Sequence, residues 1–393
     1  MTKQTTILRT AIAAFVAVTA AAAHAQIPII TYHAHENLGY DEQTFREHME
    51  FFVEEGYNTI DMDQFYEWHQ NDGPLPLRPV VVTVDDNYIA GYTGMYPIFQ
   101  ELDIVATNYI HTHGIGIGAP KASWAQVREM NDSGHFLAES HSRTHPRLSQ
   151  VSATQLESEV WGSRQDIADN VGGRVTNHFC YPYGDYNQTV IAEVEAAGYL
   201  TAVTTIGGDN YRTTPIYELR RHGGDGIGVA TLQQRIGFHN LPPGPPGDGW
   251  VLDDESPHCY YDADLWNAST SRPGYYGSRY LYLPEEAGGE ADLLHWSAIL
   301  PETGLMRVHA RWTSADNRAT DAVYTIETAG DDETVTVNQR EGGGEWQELG
   351  VFEFAADEPV TVRLGGGSDG VLVADGIWFE PLEPANVEGW MIF

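Results

Sequence analysis

The chain has 393 residues, 42% of them hydrophobic and 20% charged, proportions of an ordinary globular protein that exclude a disordered or collagen-like polymer. At about 100–200 residues per domain the length fits two domains, each able to bury its own core. Asp and Glu total 56 against 21 Lys and Arg, a formal charge of −35 at pH 7. So negative a surface repels phosphate backbones and anionic lipid, which excludes nucleic acid as a partner and favours neutral or cationic ligands.

Lys3 and Arg9 precede an apolar run, Ala11 to Ala23, that ends in Ala23-His24-Ala25 before Gln26, the layout of a secretory signal with an A-x-A cleavage site. The run is too short for a stable membrane span, and no later stretch reaches about 18 apolar residues. Residues 1–25 therefore read as a signal peptide, with a periplasmic or secreted destination and no membrane span. No cysteine stands at the cleavage site to carry a lipid anchor. Cys180 and Cys259 read as two buried small hydrophobes, although an oxidising compartment would allow them to pair.

From residue 26 to about 240, short β-branched runs alternate with helix-length amphipathic stretches, the pattern of an alternating α/β fold. Ile29 to Tyr32 reads as a strand. Thr44 to Gly56 follows as a helix, with Phe45, His48, Met49, Phe52 and Val53 at helical spacing and Gly56 closing it. Val80 to Val84 is a continuous apolar strand, buried on both faces as in a parallel sheet or barrel. Asp85-Asp86-Asn87 sits at its C-terminal end, where such architectures gather functional groups. Further units are a helix Met95–Glu101, a strand Val105–Ile110, a helix Trp124–Ser133, a short strand before Ser140-His141, and helices Val151–Val171 and Val190–Gly198, giving six or seven β/α steps. Residues 241–249, with four prolines and three glycines, read as a linker. From 250 to about 382 the period changes to two, as in Met306-Val308-Ala310-Trp312 and Val360-Val362-Leu364, with Gly- and Asp-rich turns between runs. That is an all-β sandwich, leaving 383–393 as a tail.

Four pieces of the first domain suit one site. Asp85 and Asp86 are adjacent carboxylates pointing in different directions, so one can bind a metal while the other faces a substrate. His141-Ser142-Arg143-Thr144-His145 spaces two imidazoles on one side of a turn, and two His with one Asp make a three-ligand set with open positions for water. Tyr181-Pro182-Tyr183-Gly184 forms a tight turn able to aim a backbone N–H at an oxyanion. His33 follows the first strand.

Together the four resemble the NodB-type polysaccharide deacetylases, carbohydrate esterase family 4, whose strand-end [S/T]-F-D-D-G, H-[S/T]-x-x-H and R-x-P-Y-G stand here as Thr83-Val84-Asp85-Asp86-Asn87, His141 to His145 and Tyr181 to Gly184. Pro146, Leu148, Leu75, Pro76 and Pro79 add agreement. The lead Ile27-Pro28-Ile29-Ile30-Thr31-Tyr32-His33 looks most like the branch acting on poly-N-acetylglucosamine, where the acid histidine comes early in the chain. The resemblance implies a distorted (β/α) barrel that removes N-acetyl groups from a polysaccharide or oligosaccharide and releases acetate. It implies that Asp86, His141 and His145 hold one divalent metal, Zn²⁺ first among first-row ions, and that Asp85 is general base and His33 general acid. The Tyr183 backbone N–H would serve the oxyanion.

Three departures stand out. Asn87 replaces glycine, which is tolerable because Asn accepts left-handed backbone angles. The motif arginine is absent, Cys180 standing two residues before Pro182, and Arg221 is expected to supply the contact to the base from the next strand. No late Leu-x-His motif occurs, so His33 is taken as the acid, with His222 and His239 as rivals.

His111-Thr112-His113 is an H-x-H after a strand, better suited to loop packing or the substrate groove than to a metal. Gly366 to Gly370 matches G-x-S-x-G, but the strand Val371-Leu372-Val373 follows where a nucleophile elbow needs a helix, so a hairpin turn is expected. Pro273-Gly274-Tyr275-Tyr276-Gly277-Ser278, Val337-Asn338-Gln339, Trp346, Leu349-Gly350, Phe352, Phe354 and Ala374-Asp375-Gly376 make the second domain similar to the golvesin C-terminal-like module of secreted carbohydrate enzymes. Trp266, Tyr275, Tyr276 and Trp346 are available either to stack on sugars or to fill the sandwich core. Two other readings use the same residues: an O-acetyl esterase of the acetyl-xylan type, and a catalytically inactive polysaccharide-binding protein, against which the intact Asp85, Asp86, His141 and His145 speak.

Overall fold

A computed structural model describes residues 26–115, 121–172, 175–237, 247–285, 294–302, 304–328, 330–355, 358–367 and 369–382. The expected signal peptide and tail, His239 and linker residues 241–246 lie outside the described residues.

In the first part of the chain, strands β1 (Ile29–His33), β2 (Asn58–Thr59), β3 (Leu75–Pro76), β4 (Pro79–Asp85), β5 (Ala106–Ile110), β6 (Phe136–Ser140), β7 (His178–Cys180), β8 (Thr201–Val203) and β9 (His222–Gly223) alternate with helices α1 (Glu42–Glu54), α2 (Met62–Asn71), α3 (Tyr96–Glu101), α4 (Trp124–Asp132), α5 (Ala153–Asn170), α6 (Gln188–Ala196) and α7 (Val229–Arg235). All of these strands except β3 form one parallel sheet, in the order β8-β7-β6-β5-β4-β1-β9 with β2 beside β4. β4 lies near its middle and is buried along its whole length. Its Val80, Val82 and Val84 join the core under α1 and α3, whereas Val81 turns into the opposite core with Trp68 and Tyr109, which is why the run has no polar alternation. The end strands β8 and β9 do not pair; β8 bonds instead to the segment that leads into β9, Leu219 N donating to Ala202 O at 3.0 Å and Thr204 N to Leu219 O at 2.8 Å. The expected distorted barrel is thus a half-barrel whose ends meet through an irregular segment.

Helix α1 starts two residues before the predicted Thr44, because the Asp41 carboxylate accepts from Thr44 N at 2.9 Å and caps it. Gly56, at φ +70°, turns the chain away just beyond its end. A five-residue π-turn, Gly91–Met95, precedes α3, where only a helix from Met95 was expected.

The second part is all β: β10 (Trp250–Asp253), β11 (Cys259–Tyr260), β12 (Asn267–Ser269), β13 (Tyr280–Leu283), β14 (Leu294–Ile299), β15 (Gly304–Arg311), β16 (Ala322–Glu327), β17 (Glu333–Val337), β18 (Gln347–Phe354), β19 (Val360–Gly366), β20 (Leu372–Ala374) and β21 (Gly376–Pro381). They form three sheets, β10-β21-β15-β18, β11-β14-β19-β16-β17 and β12-β13-β20. All three feed one core, from Leu252, Tyr280, Trp296, Val308, Tyr324, Val362 and Phe379 among others. Trp266 and Tyr276 are buried in this domain and Trp346 is half-buried against Tyr276 and Trp378, so these rings serve packing. The expected hairpin at Gly366–Gly370 is corrected: β19 and β20 belong to different sheets, and the turn carries the chain between them. Cys180 and Cys259 are both buried and unpaired, each in its own core.

The two parts dock through β3, which leaves the parallel sheet and pairs with β14, Leu75 beside Ala298. Trp68 Nε1 donates to Pro257 O at 2.8 Å and Tyr260 Oη to Gly73 O at 2.9 Å. The Arg212 guanidinium lies 4.0 Å from the Tyr260 ring centre and 5.3 Å from that of Trp68. Among the described residues no helix is long and apolar enough to cross a membrane. Because Trp68 is wholly buried where the two parts meet, Trp68→Ala should cost about 3–5 kcal/mol, read as a lowered midpoint in chemical denaturation of the whole chain.

Candidate active site

Parallel strands place their carboxyl ends on one rim, and the predicted site residues stand there. Asp85 ends β4 and Asp86 follows it. His33 ends β1 and sits opposite Asp85 in register. His141 follows β6, Cys180 ends β7, and Arg221 immediately precedes β9.

Asp85 is almost fully buried and held from both sides. Arg221 donates through Nη1 to Oδ1 at 2.8 Å and through Nη2 to Oδ2 at 2.7 Å, a bidentate pair. Arg221 is itself fixed by Thr83 Oγ1 and Thr204 O. The Cys180 thiol, 3.4 Å from Asp85 Oδ2, donates to it, so sulfur and guanidinium share the place expected of one arginine. Burial alone would raise the Asp85 pKa. The Arg221 charge and hydrogen bonds, with smaller help from His141 and His33, hold it well below the usual carboxylate range.

His33 is oriented by a residue the sequence did not single out. Asp225 accepts from His33 N at 3.1 and 3.0 Å and from Nδ1 at 2.9 Å. A carboxylate only accepts, so the proton sits on Nδ1, while Nε2 lies 3.9 Å from Asp85 Oδ2. Burial pulls the His33 pKa down, but the Asp225 hydrogen bond and the charges of Asp85 and Asp225 outweigh it and raise the value above 6.5.

Asp86 Oδ1 lies 3.7 Å from His141 Nε2 and 3.4 Å from His145 Nε2, and the two Nε2 atoms are 3.1 Å apart. His141 Nδ1 is 2.8 Å from Cys180 O. Donating there leaves the Nε2 lone pair turned toward Asp86, the tautomer a metal ligand needs. Burial lowers the pKa of both imidazoles, that of His145 to about 4 with the His141 charge as a second cause, so both are neutral near pH 7. One carboxylate oxygen and two bare imidazole nitrogens within 4.8 Å of one another fit a divalent ion with open positions. Asp85, His141 and Cys180 also lie that close. Arg221 already occupies Asp85, however, and burial keeps the thiol protonated, which disqualifies that set as ligands.

The three loops around the site are strained, and the one carrying the histidines is tied down. Asp86, Asn87, Ser142, His145 and Tyr183 are five of the eight non-glycine residues at positive φ among the described residues. Such angles cost about 1–2 kcal/mol each, so surrounding bonds must hold them. Glu159, buried on α5, accepts from Arg143 N at 2.9 Å and Thr144 N at 2.7 Å, and Arg143 pairs with Asp166. Glu159 was also missed, although its spacing with Leu156, Val160, Ser163 and Ile167 puts an acid on the apolar face of α5, a readable signal. Asp225, in a Gly-Gly-Asp-Gly turn, offers none.

Tyr183 is 56% exposed, its ring edge-on to His145 with centres 4.5 Å apart and Arg147 on it at 4.8 Å. A side chain at Gly184, φ +63°, would collide with Thr205. His111 reaches the edge of the site, its ring 5.6 Å from that of His145. His222 pairs with Asp209 at 2.8 Å.

Residues 72–202 match the family described as polysaccharide deacetylase and residues 250–381 that of the golvesin C-terminal domain. The chain is similar to YxkH of Bacillus subtilis (strain 168), a protein assigned to the polysaccharide deacetylases, with 28% identity over 200 residues, 50% of this chain and 71% of that one. It is 27% identical over 134 residues to the poly-beta-1,6-N-acetyl-D-glucosamine N-deacetylase of Escherichia coli (strain K12), covering 33% of this chain and only 18% of that one. The structure of the Streptococcus pyogenes deacetylase PplD in complex with acetate superposes with a TM-score of 0.51 at 26% identity, over 54% of this chain and 98% of the other.

Asp225→Asn keeps an acceptor near His33 but removes its charge, so the His33 imidazole should titrate at lower pH, measurable by NMR. The raised value means that the charged pair stabilises the fold below the unfolded pKa of about 6.5 and is lost as pH rises through the folded value. The stability gap between the native chain and Asp225→Asn should therefore narrow on going to alkaline pH.

Proposed function

We propose that this chain, which carries a polysaccharide deacetylase domain, of a family that hydrolyses the amide bonds of acetylated sugars, and a golvesin C-terminal domain, is a secreted, metal-dependent enzyme. In this reading it removes N-acetyl groups from a polysaccharide of N-acetylglucosamine type and releases acetate. The observation that carries the reading is the convergence of Asp86, His141 and His145 beside a carboxylate, Asp85, that is fixed by Arg221. The early acid histidine and the likeness to the E. coli deacetylase support the glycan class. Charge supports it as well, since each turnover converts a neutral sugar into a cationic amine beside a chain of formal charge −35.

Asp86, His141 and His145 would hold the ion, zinc being the best match to two imidazoles and a carboxylate; when bound, it supplies Lewis-acid polarisation of the acetyl carbonyl and an acidified water. The chain's own groups do the rest. Asp85, ionised throughout the working range, takes the proton of the attacking water. Arg221 keeps that carboxylate in one orientation. The Tyr183 backbone N–H donates to the oxyanion that develops on the acetyl oxygen, a contact whose loss costs about 3–4 kcal/mol. His33, charged because Asp225 and Asp85 face it, gives its Nε2 proton to the departing amine nitrogen as the C–N bond breaks. The exposed Tyr183 ring and the histidine loop form the wall against which the sugar lies.

Acetate release measured over poly-N-acetylglucosamine, chitin oligomers, peptidoglycan and acetylated xylan, with and without chelator, tests the proposal and separates amide from ester. Release should require the metal and favour the N-acetylated glycans. Asp85→Asn should lose about 10²- to 10⁴-fold in turnover with metal content unchanged, and His141→Ala should lose the metal. Full activity in either variant overturns the assignment. Because His33 works as its cation, kcat/KM should fall on the alkaline side, and in Asp225→Asn that fall should begin at lower pH.

A further inference from the structure

The second domain holds an acidic cluster with no part in the site above. Asp253 ends β10, Asp254 follows it, and Asp375 lies between β20 and β21. Antiparallel pairing of β10 with β21 sets Asp253 opposite Gly376, and Asp254 N donates to Asp375 O at 2.8 Å, so the first and last strands of the domain bring the three together. One side-chain oxygen from each lies within 4.8 Å of the others. Their exposures are 1%, 1% and 0%. Glu255 adds a fourth carboxylate, which accepts from Ser278 N at 3.0 Å and Ser278 Oγ at 2.7 Å.

Carboxylates do not crowd a dry interior without compensation. Two guanidiniums supply part of it. Arg279 Nε is 3.2 Å from Asp254 Oδ2 and 3.5 Å from Glu255 Oε1, and Arg311 Nε is 3.7 Å from Asp375 Oδ2. With all four ionised, four carboxylates against two cations would leave a deficit of two positive charges, the charge of one divalent ion. Hydrogen bonding is incomplete in the same place. Asp253 Oδ1 accepts from Asp254 N at 2.9 Å, and the Asp375 oxygens share Tyr276 N at 3.1 Å. Asp253 Oδ2 and Asp254 Oδ1, both buried, have no hydrogen-bond partner, a costly omission for buried polar atoms. Beside the first orphan, Gly277 at φ +64° presents bare backbone, and a Cβ there would come within 2.6 Å of Asp253 Oδ2 and 3.1 Å of Glu255 Oε2.

We propose that Asp253, Asp254 and Asp375 bind a divalent cation, and that the all-oxygen donor set selects calcium. The ion would clamp the first strand of the second domain onto its last. It is separate in position and in donor chemistry from the imidazole-bearing site of the first domain, and does not depend on the activity proposed there.

The test uses the full chain carrying His141→Ala, so that the first-domain site does not compete. Calorimetric titration with Ca²⁺ should show one bound equivalent at or below about 1 mM, and Ca²⁺ should raise the unfolding midpoint by several degrees over chelator. Tb³⁺ in the same place should luminesce on excitation of the aromatic groups beside it, Tyr276 and Trp346. Adding Asp253→Asn and Asp254→Asn relieves like-charge repulsion, so the protein should fold in chelator yet lose the bound equivalent, the midpoint shift and the luminescence. Should that variant fail to fold, Asp375→Asn gives the same three readouts. Absence of binding up to that concentration, or undiminished binding in the amide variants, overturns the proposal and leaves shared protons as the source of balance.

Discussion

Two carboxylates adjacent in sequence can share the buried end of one strand only if each is given a different partner. In this protein Arg221 closes on both oxygens of Asp85, while the left-handed backbone of Asp86, φ +77°, swings the next carboxylate toward two neutral imidazoles. Removing the guanidinium would leave an uncompensated buried charge beside a second one, a loss of about 3–5 kcal/mol in comparable buried pairs. The neighbouring strand pair carries the same logic. His33 and Asp85 are register partners on β1 and β4, and they receive Asp225 and Arg221 respectively from the two sides of β9. A strand of only two residues, paired with β1 through Ile30 and Thr31, thus delivers the counter-charge to both members.

How much of this could be read beforehand depends on how local the signal is. The runs at Ile29, Val80 and Val105 announce strands because burial on both faces replaces polar alternation with mostly apolar, β-branched residues, and helices such as α4 and α5 carry both apolar spacing and a serine cap. Asp85, Asp86, His141 and His145 were legible for a similar reason, since their spacing lies within a few residues. β9 is too short to show a period, and the partner that makes Asp225 informative, His33, stands 192 residues away. Arg221 was expected from the next strand and lies immediately before β9, but only the fold could set it on Asp85. Glu159 was within reach of periodicity, since an acid on an apolar helix face needs a buried partner.

The second domain shows the same division. Alternation over Met306–Ala310 and Val360–Leu364 reveals half-buried strands, yet nothing local says that the glycine-rich turn after β19 leads into another sheet. Nor does composition say which aromatics are core: Trp266 and Tyr276 are hidden, while the exposed ring nearest the catalytic rim is Tyr183, in the first domain. The two cysteines remain apart because each fills its own hydrophobic cluster.

The seat of the second domain follows from where β3 stands in the chain. β3 immediately precedes β4, so the domain is bolted to the floor of the half-barrel, and the seven residues of β4, about 3.3 Å each, separate that floor from the rim by roughly 20 Å. A body anchored there is a pedestal rather than a lid: it meets the first domain at the far end of β4 from Asp85, and the rim residues of the site all come from the first domain.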